Sequence, residues 1–185
     1  MDIKKFWQII EKANKNTNHD ITLVNENVFE QLVQLENPDI VIWKQIFDEY
    51  YSHTNGNQMH VAFYIIEGNF SEEAFDSYRA GLISSGEKIY LQTLENPDSL
   101  VAHDFVDDGT LFNTAFLHVA EYAYLQKNGV TEKKFDDLVA NTIISGTLKK
   151  EIFDSIEFSY KMDKEWEDDE SSLMKLCPKL FAEFW

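Results

Sequence analysis

Apolar residues recur along this chain at the spacing of helices. Near the start, Ile3, Phe6, Trp7 and Ile10 fall on one helical face, and polar residues separate them. No segment shows the strict alternation of a half-buried strand. The pattern predicts helices at 2–14, 24–36, 38–52, 57–67, 71–85, 87–95, 97–105, 111–127, 131–145, 149–160 and 171–182. The expected fold is all-α, a compact multi-helix single domain of short to medium helices. Residues 1–162 form its core, and 163–185 add an acidic loop and a C-terminal helix that packs on that core.

Two repeats punctuate this pattern. Leu35-Glu36-Asn37-Pro38-Asp39 recurs as Leu94-Glu95-Asn96-Pro97-Asp98. Proline suits the first helical position, where its missing N–H has no intrahelical partner, and asparagine suits the N-cap before it. Each copy thus ends one helix and begins another, with Asp39 or Asp98 in a first turn that favours acids. The second echo relates FDSYRAGLISSG at 75–86 to FDDLVANTIISG at 135–146, and reads as two similar amphipathic helices that end at glycine.

Composition narrows the function classes. Fourteen Phe, eight Tyr and four Trp supply a large core, while seven Gly and three Pro leave little for flexible linkers. Sixteen basic residues against thirty-three acidic ones give a net charge of −17, which repels nucleic acids and anionic membranes and favours a basic protein partner. Cys177 is the single cysteine, so no intrachain disulfide can form, and a reducing cytoplasm is the expected location. The first helix is amphipathic rather than a continuous apolar leader, and no stretch approaches the roughly 18 apolar residues of a membrane span.

The stretch YIIEGNFSEEAFDSYRAGLISSGEKIYLQTLENPDSL carries a denser pattern: Gly68, Ser71, Glu72, Glu73, Phe75, Tyr78, Arg79, Leu82, Ile83, Ser84, Gly86, Pro97, Asp98, Ser99 and Leu100. In this it resembles the domain-of-unknown-function family 4240. FWQII near the start, HVAEYAYLQKNG at 118–129 and CPKLFAEFW at the end resemble flanking parts more loosely. The chain departs from the family pattern at Asn69-Phe70, where a small residue is common, and in using Glu rather than Asp in the acidic pair. The resemblance implies a fold and no catalytic activity.

Arg79 stands out as the sole arginine among fifteen lysines. It lies within the stripe of Phe75, Tyr78, Leu82 and Ile83, so its guanidinium is expected to be partly buried and to need a carboxylate that accepts its planar fork. Glu67, Asp98 and Glu121 are candidates, and an Arg79–Glu121 structural ion pair joining two helices is the expectation. Glu72 and Glu73 follow Ser71 in a first turn, and His118 and Glu121 share a helix face at a spacing that could join a metal site.

No motif names a reaction. There is no Gly-x-Ser-x-Gly, no His-Glu-x-x-His and no phosphate loop, and Cys177 before Pro178 has no base beside it. Neither a structural metal nor a cofactor is expected. The reading that follows is a non-enzymatic acidic module, an immunity-type inhibitor that neutralises a basic, nuclease-like toxin. Its expected binding surface comprises Trp166, Glu167, Asp168, Asp169 and Glu170, with Glu72 and Glu73. The alternative is a metal-dependent or acid/base hydrolase that uses Glu72, Glu73, Asp76, Arg79, His118 and Glu121.

Overall fold

A computed structural model describes residues 1–69, 71–103, 111–162, 167 and 169–185, and for 157–162 the backbone alone. Among these residues every regular element is a helix. The α-helices are α1 (Ile3–Ala13), α2 (Ile21–Val33), α3 (Asn37–Ser52), α4 (Asn57–Glu67), α5 (Glu72–Ser84), α6 (Glu87–Glu95), α7 (Val119–Asn128), α8 (Glu132–Asn141), α9 (Gly146–Met162), α10 (Glu170–Leu176) and α11 (Pro178–Phe184). Short 3-10 helices span Pro97–Ala102 and Thr114–His118. The all-α expectation holds.

The differences from the predicted boundaries have local causes. Helix α2 begins earlier because Asp20 caps it, its Oδ1 accepting from the Thr22 and Leu23 backbone N–H groups at 2.9 and 3.2 Å. The helix expected at 171–182 is broken in two, since Pro178 has no N–H to continue α10 and instead occupies the first turn of α11. Of the segment expected at 97–105, Pro97–Ala102 is a 3-10 turn, tightened by Asn96, whose Oδ1 accepts from the Asp98 N–H at 3.2 Å, and 104–105 lie outside the described residues.

Helix α5 lies at the centre. Residues 77–84 are all buried, more than two full turns, so this helix has no solvent face over that stretch. Tyr78, Leu82 and Ile83 join a continuous core with Phe6, Trp7, Trp43, Phe47, Tyr50, Phe63, Tyr90 and Phe116. The side of α5 formed by Ser77, Gly81 and Ser84 is small, and the chain at 111–114 lies directly against it. A Cβ on Gly81 would stand 1.6 Å from the Leu111 carbonyl oxygen. The same contact carries its own hydrogen bonds. The Asn113 N–H donates to the Ser77 carbonyl at 3.0 Å, and the Ser77 and Thr114 hydroxyls meet at 2.5 Å.

Asn113 extends this polar seam. Its side-chain nitrogen donates to Ser84 Oγ at 3.2 Å and to Asn25 Oδ1 at 3.0 Å, and Asn25 returns a bond to Asn113 Oδ1 at 2.8 Å. Asn14 donates to the Ser84 carbonyl at 2.8 Å. Helices α1, α2 and α5 are thus tied through amides that would cost stability if buried without partners.

The two LENPD copies have diverged in use. Each does begin a helical segment. Asn37, however, is already inside α3 and exchanges amide hydrogen bonds with Asn128 at the end of α7, at 2.7 and 3.2 Å. Asp39 accepts from the Met1 amino nitrogen at 2.6 Å, which holds its carboxyl below the usual range although partial burial opposes this. Asp98 is buried and reaches across the chain to α11. Its carboxylate accepts from the Lys179 N–H at 2.9 and 3.1 Å and from the Leu180 N–H at 2.8 Å. The second copy is therefore a long-range helix cap as well as a helix start.

The other echo does not survive as a structural repeat. Helix α8 ends at Asn141 and buries Phe135 alone, and Gly146 opens α9 instead of closing α8. The shared letters sit in a buried central helix in one case and an exposed one in the other.

Two outcomes follow from this packing. Gly81→Ala should lower stability by about 3 kcal/mol or more, because backbone rather than a flexible side chain blocks the added methyl, and urea unfolding measures it. Asp98→Ala should cost about 1–2 kcal/mol by stripping α11 of its cap, with hydrogen exchange accelerating at 178–184 more than in α5.

Candidate functional site

Arg79 is 9% exposed, and its setting differs from the expected one. Its Nη2 donates to Asp76 Oδ1 at 2.8 Å, one turn earlier on the same helix, so Glu67, Asp98 and Glu121 are not its partners. The guanidinium lies over the Tyr51 ring at 3.8 Å from the centroid and near the Phe75 ring at 5.1 Å. Tyr51 Oη donates to the same Asp76 oxygen at 2.8 Å. The connection between α5 and α3 is thus a stacked cation and a shared carboxylate, in place of an interhelical ion pair.

The ionisation of this trio is mutually consistent. Burial works to raise the Asp76 pKa, but the hydrogen bonds from Tyr51 and Arg79 and the guanidinium charge outweigh it, and the pKa is lowered. Tyr51 is pushed up to about 12, by burial first and by its bond to the carboxylate second. The phenol remains a donor and Asp76 an acceptor throughout the neutral range. This is a structural latch with a half-exposed acid at its edge.

Glu121 is paired with the His118 imidazole instead: its Oε2 lies 3.0 Å from His118 Nδ1, placed to accept from its N–H. Its place as the Arg79 partner is corrected by that contact, since the pair sits at the start of α7 and uses the carboxylate locally. Glu72 and Glu73 are exposed in the first turn of α5, after Ser71, whose Oγ accepts from the Ala74 N–H at 3.4 Å. Among the described residues no three His, Cys, Asp or Glu side chains converge to hold one metal ion, so the structure does not gather the hydrolase set into a metal centre. Cys177 is fully buried, and burial, then the Asp98 charge, push its thiol up to about 12, far from a nucleophile's range.

Of the acidic segment, Glu167, Asp169 and Glu170 are exposed, and Asp169 caps α10 with a 2.9 Å bond from the Ser172 N–H. Trp166 and Asp168 lie outside the described residues.

A different acidic feature emerges where α1, α6 and α9 meet. A cleft of about 680 Å³ has Trp7 in its wall and carries Asp2, Glu11, Glu87 and Glu151, with Lys4 at its rim. Burial raises the Glu87 pKa, and the neighbouring Glu11 charge raises it further. Among the described residues neither carboxylate has a salt bridge. Sequence could not find this pair, because three helices far apart in the chain supply its walls and none of the acids belongs to a motif. A second, polar cleft of about 720 Å³ includes Asn96, Ser99, His103 and Lys179, and the Asp98 within it is already committed to capping α11.

Arg79→Lys should cost about 1–3 kcal/mol in urea unfolding, because an ammonium cannot keep both the stack on Tyr51 and the bond to Asp76, and Arg79→Ala should cost more. The lowered Asp76 pKa has a definite sign. It contributes stability above the unfolded carboxyl pKa and loses it as pH falls through the folded one. Asp76→Asn should therefore be less stable at neutral pH and show a shallower acid-side decline, which melts across the acid range will check.

No curated protein and no solved structure matches this chain. A family pattern does, over residues 1–128, from α1 through the end of α7, so the likeness noted at 177–185 lies outside the matched stretch. That stretch holds the α5 seam, the Arg79 latch and both LENPD segments. On that match the chain belongs to the family described as a protein of unknown function, DUF4240.

Proposed function

We propose that this chain is a non-enzymatic binding module, an immunity-type inhibitor that acts in the cytoplasm by neutralising a basic, nuclease-like toxin. The observation that carries the reading is the Glu11–Glu87 pair. Two carboxylates are held together in a cleft, one of them partly desolvated, with its proton affinity raised and no salt bridge to either among the described residues. Such a pair is a cost in the free protein, and a partner's lysine or arginine entering the cleft would relieve it. The surrounding charge supports the same direction. At −17 the protein attracts a cationic partner over long range, and Glu72, Glu73, Glu167, Asp169 and Glu170 are all exposed to do so. Among the described residues the interior holds the Arg79 latch and a packed aromatic core. Among the described residues no helix is long and apolar enough to cross a membrane.

Capture from native-host lysate at low salt tests the reading. The wild-type chain should retain a basic protein that elevated salt releases, the Glu11→Lys/Glu87→Lys variant should retain much less, and co-expression should suppress that partner's toxicity. Capture that is indifferent to salt and to the double reversal would overturn it.

The free protein should carry a signature of the same pair. A carboxyl whose folded pKa is raised stabilises the fold below its unfolded pKa and loses that contribution as pH rises through the folded value. Glu87→Gln should accordingly raise the melting temperature at neutral pH, with the gain disappearing in acid where Glu87 is protonated. Melts of the two proteins at both pH values measure it.

A further inference from the structure

A separate concavity lies between α2 and α7. It has a volume of about 400 Å³, and Phe29, Ala115, Val119 and Tyr122 make its surface predominantly apolar, with Glu26 and Glu30 at its edge. Tyr122 is 50% exposed, and Leu23, one turn before Glu26 on α2, is 44% exposed. Large apolar side chains rarely remain this accessible beside an open groove unless something covers them. The edge is acidic in a defined way. Glu26 and Glu30 are one helical turn apart, both exposed, and neither makes a salt bridge among the described residues. Lys127 on α7 does not offset them: its Nζ is engaged by the Val33 and Leu35 carbonyls at 2.9 and 2.6 Å, at the far end of α2.

We propose that this groove receives a helix of the basic partner, one that buries a large apolar side chain against Phe29, Val119 and Tyr122 and sets lysine or arginine one turn away against Glu26 and Glu30. The inference rests on the reading of the chain as a binder of a basic protein, and it assigns that binder its short-range anchor. Charge complementarity chooses the occupant. A second copy of this chain would bring a further −17 to the interface, whereas a cationic amphipathic helix matches both the apolar floor and the acidic edge. Charge alone would give fast encounter and rapid escape, and an aromatic and aliphatic floor supplies the slow dissociation that screened charges lack.

The test uses the full chain and two synthetic helical probes of about 18 residues: a leucine–lysine amphipathic peptide with one tryptophan, and its leucine–glutamate counterpart. The lysine peptide should bind saturably and shift backbone amide NMR signals in 23–33 and 115–124, while the glutamate peptide should not bind. Glu26→Lys/Glu30→Lys, and separately Tyr122→Ala, should each weaken the lysine peptide about tenfold. The exposed pair Asp136→Lys/Asp137→Lys on α8, which changes net charge equally, should weaken it far less. Shifts mapped outside the groove, or equal losses from the α2 and α8 reversals, would overturn the groove and leave the basic-partner reading standing. Failure of the lysine peptide to bind at all at low salt would overturn both. Circular dichroism of each variant confirms that the fold is intact before its binding is compared.

Discussion

The close approach of the 111–114 backbone to Gly81 is the constraint on which the rest of this structure depends. Helix α5 is buried on every side between residues 77 and 84, so its neighbours must be placed by shape and by hydrogen bonds rather than by a solvent-facing edge. A side chain at 81 would hold 111–114 away. That would separate Asn113 from Ser77, Ser84 and Asn25, and with them would go the link from α5 to α2. Interiors packed to crystal-like density have no slack to absorb such a displacement.

The same helix explains why one arginine is present among fifteen lysines. On its α3 side, α5 needs a cation that can lie flat between rings and still donate in plane to a carboxylate, and a guanidinium does both. Asp76 and Tyr51 complete the unit, each favouring the ionisation state the other needs. Arg79, Asp76 and Tyr51 are thus occupied in holding α5 to α3.

On the surface the acids divide by environment. Some cap helices, as Asp20, Asp98 and Asp169 do, and several others neutralise nearby lysines. Glu11 with Glu87, and Glu26 with Glu30, do neither among the described residues. One pair lies in a cleft beside Trp7, the other at the edge of an apolar groove. A charged partner gains most where the free protein has left charge uncompensated next to apolar surface, and these two places have that combination.

The helical class, the Ser71 and Asn96 caps and the burial of Arg79 were legible in the sequence, whereas the break at Pro178 was passed over in favour of a continuous apolar period. The first three are local matters of apolar period and capping chemistry, settled within a turn or two of chain. The partner of Arg79 was misread because its stripe position pointed to another helix, while a carboxylate three residues away was nearer than any distant one. The tertiary structure alone decided that Asp98 would cap α11, eighty-one residues away from Lys179, and that two copies of one pentapeptide would serve different contacts. It alone brought Glu11 to Glu87 and laid α7 against α2 to form the groove. Those pairings depend on which helix faces which, and helix packing is set by side-chain volumes across many contacts at once, a quantity that no local spacing along the chain encodes.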